Sequence, residues 1–174
     1  MTALRSALVV PVSEASEAVD AWLERTATAK PSAGIPAHIT IVFPFVPARS
    51  IDHELVTDLC SIFGRFETFT FTSSRALRFP TVLYLAPEPP EPFVALTEAV
   101  ISSYPEYPPY EGEFDTIVPH LTAAEGDPAV LDAAEAAIQP FLPVQAIARE
   151  VTLLEEIEPE FRRWRVRETF RLGA

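Results

Sequence analysis

The chain has 174 residues, 48% hydrophobic and 22% charged, which is enough apolar material for the core of one domain or two joined lobes and excludes low-hydrophobicity disorder. Its formal net charge is −12 and its pI about 4.6. That argues against non-specific binding of duplex DNA, which needs an excess of Lys and Arg on the backbone phosphates. A single cysteine, Cys60, allows no intrachain disulfide framework and no thiolate metal cluster.

The N-terminus lacks a signal-peptide pattern, because the apolar run Leu8 to Val12 is too short. No apolar run reaches the roughly 18 residues of a spanning helix. A cytoplasmic protein without membrane contact is expected. Lys30 is the only lysine, so positive charge rests almost entirely on arginine, which suits bidentate phosphate contacts.

Ser6 to Val12 is rich in Leu and Val and predicts a first strand. Ser13 follows as a helix cap, with Glu17 one residue late for a strict capping box. Val19, Trp22 and Leu23 keep helical spacing, and this helix is expected to end near Ala27 to Ala33. His38 to Val46 is a second apolar run. Ile51 to Phe66 is helical by the recurrence of Leu55, Leu59, Ile62, Phe63 and Phe66.

Glu67 to Thr72 and Val82 to Ala86 read as strands. Pro87, Pro89, Pro90 and Pro92 exclude regular structure over 87–92. Phe93 to Tyr104 predicts a helix, followed by a proline-rich loop from Pro105 to Glu113. Val118 to Ala124 is strand-like. Pro128 to Phe141 is a helix capped by Asp127 with Pro128 in its first turn. Val144 to Glu156 and Phe161 to Leu172 close the chain as strands. Helices and strands mix without strict βαβ alternation, which predicts an α+β fold with antiparallel sheets. The chain also reads as roughly duplicated, with a strand carrying His-x-Thr in each half.

Two segments carry the chemistry: Pro36-Ala37-His38-Ile39-Thr40-Ile41 and Val118-Pro119-His120-Leu121-Thr122-Ala123. Side chains alternate along a strand, so His38 shares a face with Thr40, and His120 with Thr122, while Ile39, Ile41, Leu121 and Ala123 point to the core. Phosphodiester cleavage needs a base for the incoming oxygen and an acid for the leaving one. Histidine serves either role near neutral pH, and threonine hydroxyls can donate to non-bridging phosphate oxygens. Two facing His-x-Thr units supply both without a metal or other cofactor. One such unit alone is weak evidence, since a lone strand histidine is usually structural. The third histidine, His53, has no threonine partner and reads as solvated. A metal held by both histidines and a carboxylate is the competing chemistry, but no third ligand is spaced to suggest it.

The twin motifs, each with a proline before its histidine, resemble the two-histidine (2H) phosphoesterase superfamily, in particular its 2′-5′ RNA ligase branch. The resemblance spans Ser6 to about Leu172. It implies a single bilobal domain over residues 1–174, with two pseudo-symmetric antiparallel sheets flanking a central cleft and helices on the outer faces. It implies hydrolysis of 2′,3′-cyclic phosphates to 2′-phosphates, or of related cyclic or 2′-5′ linkages. By that analogy His38 is the proton donor, His120 the acceptor, and Thr40 and Thr122 the phosphate anchors; the sequence alone does not decide between the two histidines. RNA 2′-5′ ligation and a non-catalytic nucleotide-binding module on the same fold are the alternatives. The acidic charge and the absence of a cation in Ala124-Glu125-Gly126 speak for a nucleotide or RNA-end substrate rather than a large RNA. A monomer is expected.

Phe161 to Arg167 is the densest basic stretch. Alternation puts Arg163, Arg165 and Arg167 on one face and Trp164 and Val166 on the other. The arginines either line the cleft and attract phosphate, or form a solvated face answering Glu155, Glu156, Glu158 and Glu160. Tyr104, Tyr107 and Tyr110 offer a base-stacking surface, with Tyr110 the candidate contact, or else pack locally. Phe43, Phe45, Phe69 and Phe71 are expected in the core. Cys60 reads as a small buried residue rather than a nucleophile.

Overall fold

The computed structural model describes residues 4–23, 35–113 and 115–173. Strand β1, Ser6–Pro11, leads through a 3-10 turn at Ser13–Ala15 into helix α1, Ser16–Leu23. Strand β2 is His38–Val42 and helix α2 is His53–Phe63. Strands β3 (Phe69–Ser73), β4 (Ala76–Phe79) and β5 (Val82–Leu85) precede helix α3, Glu91–Ser103. Strand β6, Leu121–Glu125, is followed by helix α4, Pro128–Ile138. Strands β7 (Val144–Ala148), β8 (Glu150–Glu158) and β9 (Arg163–Arg171) complete the chain.

Hydrogen bonding gives an antiparallel four-stranded sheet in the order β2-β1-β8-β9, a three-stranded sheet β4-β5-β6, and a pair β3-β7. This is the α+β fold with antiparallel sheets that the sequence predicts. Both motif strands are edge strands, β2 of the larger sheet and β6 of the smaller, and they pack against each other. Helices cover one face of each of the two larger sheets: α3 packs on β2, α2 on β9, and α4 on β5 and β6. One continuous apolar core runs through both halves, from Leu8, Val10, Ile39 and Val42 to Leu83, Leu85, Leu121 and Ala124.

The local causes follow the chemistry of the residues. Asp127 caps α4 by accepting from the Val130 backbone N–H at 3.0 Å, as expected, with Pro128 in the first turn. Asp52 does the same for α2 at the Leu55 N–H, 2.9 Å, so that helix begins at His53 rather than Ile51 and ends at Phe63, before Gly64. Ser13 is not a cap: its hydroxyl is turned to the Glu14 carboxylate, and the turn begins after Val12. The expected end of α1 near residues 27–33 lies outside the described residues.

Several other expectations are corrected. Strand β4 escapes the sequence pattern, because Arg78 and the exposed Leu77 hide its alternation. The run from Val144 breaks at Arg149 into two strands of different sheets. Glu91 and Pro92 belong to α3, since a proline in the first turn lacks only an N–H that has no helical partner there. Cys60 is exposed rather than buried, off the apolar stripe that Leu55, Leu59, Ile62 and Phe63 form on α2. His53 is exposed at the start of the same helix, as expected.

Candidate functional site

The register decides where the motif side chains point. In the larger sheet His38 pairs with Pro11 and Thr40 with Val9, whereas Ile39 pairs with Val10 and Val42 with Leu8. Leu8, Val10, Ile39 and Val42 belong to the main core. His38 and Thr40 therefore lie on the face that the core helices do not cover. In the smaller sheet Thr122 pairs with Tyr84, while Leu121 and Ala124 pair with the core residues Leu85 and Leu83. His120, two residues before Thr122, touches Tyr84 from that same side.

Both motif strands depart from regular pairing at the same place. Ile41 is skipped between the pairs Val9–Thr40 and Leu8–Val42, and Ala123 between Tyr84–Thr122 and Leu83–Ala124. Each is the third residue after its histidine, and each is buried in the core. An extra residue of this kind lets the threonine before it face one way and both following residues the other. The duplication legible in the two motifs is thus a duplication of backbone geometry as well.

The histidines are held alike. His38 Nδ1 lies 2.8 Å from the Pro36 carbonyl oxygen, and His120 Nδ1 lies 2.7 Å from that of Val118. A carbonyl can only accept, so Nδ1 donates in both and Nε2 is left as the atom available to a ligand. Burial lowers the His38 pKa, its backbone hydrogen bond opposes that shift, and the charge of His120 adds to it. The structure thus brings the two imidazoles within electrostatic reach of each other. His38, Thr40 and His120 are half-buried, and Thr122 is exposed.

Aromatic rings surround His120. Phe79 meets it edge-on at 5.3 Å, Tyr84 at 5.6 Å, and Tyr110 lies nearly parallel to it, with centroids 6.3 Å apart and 22° between planes. Phe79 and Tyr84 stack on one another at 4.4 Å. Neither stands out in the sequence. Tyr84 is accessible to parity, since its neighbours Leu83 and Leu85 are core residues; Phe79 is not, because the pattern of its strand is hidden. Tyr104 and Tyr107 pack edge-on against Phe45, at 5.5 and 5.7 Å, so of the three loop tyrosines only Tyr110 has a ring contact with a motif histidine.

Beside Thr40 the uncovered face carries Ala7, Val9, Leu154 and Trp164, a second apolar cluster joined by Phe43. Phe43 lies beyond the end of β2, edge-on to Trp164 at 6.0 Å. The Arg5 guanidinium sits 5.1 Å over the Phe43 ring and is clamped by Glu156 at 2.7 and 3.0 Å. That hydrogen bonding holds the Glu156 carboxyl below its ordinary range.

The arginine row is engaged elsewhere. Arg163 pairs with Glu158 at 3.2 Å, Arg165 with Glu155, and Arg167 approaches Glu155 at 3.8 Å. Arg165, Glu155 and Ser6 share one register line, which puts them on the face opposite Thr40. It is Trp164, not Arg165, that joins the cluster beside Thr40. Among the described residues no group of three or more His, Cys, Asp or Glu side chains is gathered in a way that could hold a metal ion.

Comparison with known proteins agrees with this fold. The apo crystal structure of E. coli LigT superposes with a TM-score of 0.66 at 19% identity, over 99% of this chain and 100% of that one. The E. coli LigT complex with 3′-AMP gives 0.62 at 20% identity, over 99% and 100%. The protein TT0787 of Thermus thermophilus gives 0.59 at 20% identity, over 98% and 99%. None of the curated proteins compared matches the sequence. The family model of the 2′-5′ RNA ligase superfamily matches residues 11–160, a span that takes in both His-x-Thr motifs, and the chain belongs to that superfamily.

Proposed function

We propose that the protein is a metal-independent cyclic phosphodiesterase that opens 2′,3′-cyclic phosphates of nucleotides or RNA ends to 2′-phosphates. The observation that carries this reading is the matched pair of histidines, each donating from Nδ1 to the carbonyl two residues before it and each leaving Nε2 for a ligand.

The chemistry is an in-line displacement. One neutral imidazole takes a proton from water at Nε2 as the oxygen attacks phosphorus. The other, as imidazolium, delivers a proton to the departing 3′ oxygen, so protons balance over the step. Thr40 and Thr122 hydroxyls donate to the non-bridging oxygens, where negative charge builds up. Burial favours the neutral form of His38, which suits the base. The family resemblance gives His38 the donor role instead. A substrate with a 4-nitrophenyl leaving group needs little protonation, so it restores turnover in the variant lacking the acid and not in the one lacking the base.

Two observations bear on substrate size. Arg163, Arg165 and Arg167 are committed to glutamates, and the chain is strongly acidic. Both favour a nucleotide-sized substrate over a long RNA. E. coli LigT has been crystallised with 3′-AMP, NADP+ and ATP, small nucleotides of the kind expected here.

The test is 31P NMR of the wild-type protein incubated with 2′,3′-cyclic AMP. A 2′-monophosphate product is expected. No turnover together with retained nucleotide binding would support the non-catalytic module, and joining of RNA ends in place of hydrolysis would support the ligase.

A further inference from the structure

Residues Tyr110, Glu111 and Gly112 follow one another at positive φ, 52°, 57° and 78°. Glycine adopts this region freely, whereas tyrosine and glutamate avoid it because Cβ crowds the backbone. A left-handed turn with two such residues persists only where its surroundings hold it, and backbone of this kind concentrates at functional sites.

Backbone hydrogen bonds among the described residues hold it, including one from the Glu111 N–H to the Pro108 carbonyl at 3.1 Å. The Tyr110 N–H donates to the Phe43 carbonyl at 2.7 Å, tying the turn to the end of β2. The Glu113 N–H donates to the Tyr110 carbonyl at 3.0 Å. The Phe43 ring at this anchor is itself covered by the Arg5 guanidinium, which Glu156 clamps. The turn is therefore anchored on the half of the molecule that carries His38, while its ring lies along His120 of the other half. His120 is held by one hydrogen bond from Nδ1 and by T-shaped contacts with Phe79 and Tyr84, and of these aromatic neighbours Tyr110 is the one whose ring lies nearly parallel to the imidazole.

We propose that Tyr110 is a positioning residue: the left-handed turn at 110–112 lays its ring on His120 and fixes the plane of that imidazole relative to His38. This rests on reading His120 as one of the two proton-transfer groups. It differs from a stacking platform for the substrate base, because the ring acts on the histidine and its effect is the same for every base.

The experiment compares wild type with Tyr110→Phe, Tyr110→Leu and Gly112→Val. The last keeps the tyrosine but puts a β-branched residue where φ is 78°. Kinetics use 2′,3′-cyclic AMP and 2′,3′-cyclic CMP, and NMR follows the His120 Cε1–H resonance. In Tyr110→Leu and Gly112→Val, kcat is expected to fall about tenfold or more for both substrates, as for a displaced catalytic group, with KM within about twofold. The His120 resonance moves as the neighbouring ring current is lost. Tyr110→Phe keeps kcat and the resonance.

A KM that rises for one base more than the other with kcat retained would overturn the proposal in favour of a substrate platform. So would an unmoved His120 resonance in both disruptive variants. If the wild type turns over neither substrate, the phosphodiesterase reading fails by itself, and the resonance alone decides whether Tyr110 sets the ring.

Discussion

Burial at the His38 imidazole lowers its pKa, and that has a consequence for stability as well as for chemistry. An imidazole whose folded value lies below its unfolded value, about 6.5, binds fewer protons folded than unfolded between the two. Its contribution to stability is present above that window and is lost as the pH falls from about 6.5 through the folded value. In urea unfolding at pH 7.5 and 5.5, wild type is therefore expected to lose more stability on acidification than His38→Gln, which has no imidazole to titrate at that position. Equal losses would contradict a His38 imidazole held neutral in the fold. That His38 shares a face with Thr40 was legible in the sequence, because strand parity needs only the order of apolar and polar residues; His120 stands just before β6, which begins at Leu121 rather than at Val118 as expected, yet still reaches the Thr122 side. The hydrogen bonds of the two histidines were not legible, since a bond to the carbonyl two residues back depends on a side-chain rotamer that parity does not fix. The arginine row shows where parity stops. Parity sorts Arg165 from Trp164 but cannot say which of the two faces carries Thr40; that depends on pairing with β8, where Glu155 pairs with Arg165.

The element that aims each motif is a bulged edge strand backed by a helix, and in the second half the joint between them is tight. Gly126 connects β6 to the Asp127 cap of α4 at φ 155°. A Cβ there would stand 2.8 Å from Val130 Cγ1 and 2.9 Å from its Cβ, closer than non-bonded carbons approach. Gly126→Ala is expected to destabilise the fold by about 1–3 kcal/mol, the range for overpacking, and to lower kcat through the shift of β6. Urea unfolding and steady-state kinetics measure both effects. Unchanged stability would mean that α4 can move away from β6 without cost. Element type was legible for the long periodic helices and for the strands that alternate. Strand β4 is hidden by its polar and exposed members, and β7 and β8 merge in the sequence because Arg149 alone does not announce a change of sheet. The skipped residues Ile41 and Ala123 look like ordinary apolar positions in the sequence; only the pairing reveals them.

At the scale of the whole molecule, a single core binds the two halves into one unit, and the motif edge strands meet where the halves join. The sequence does not reveal how its two ends pair, because the long-range pairing between Ser6–Pro11 and Glu150–Glu158 leaves no local signature. The net charge of −12 and the arginines paired with glutamates give the molecule little long-range attraction for polyanions. That places the weight of the functional reading on one pair of side chains acting without a metal. It is tested most directly by hydrolysis of 2′,3′-cyclic nucleotides in EDTA, with wild type, His38→Ala and His120→Ala compared side by side. Wild-type turnover is expected to survive chelation, and each variant to lose about 10²- to 10⁴-fold while remaining folded. Turnover abolished by EDTA, or retained in either variant, would contradict a metal-free histidine pair.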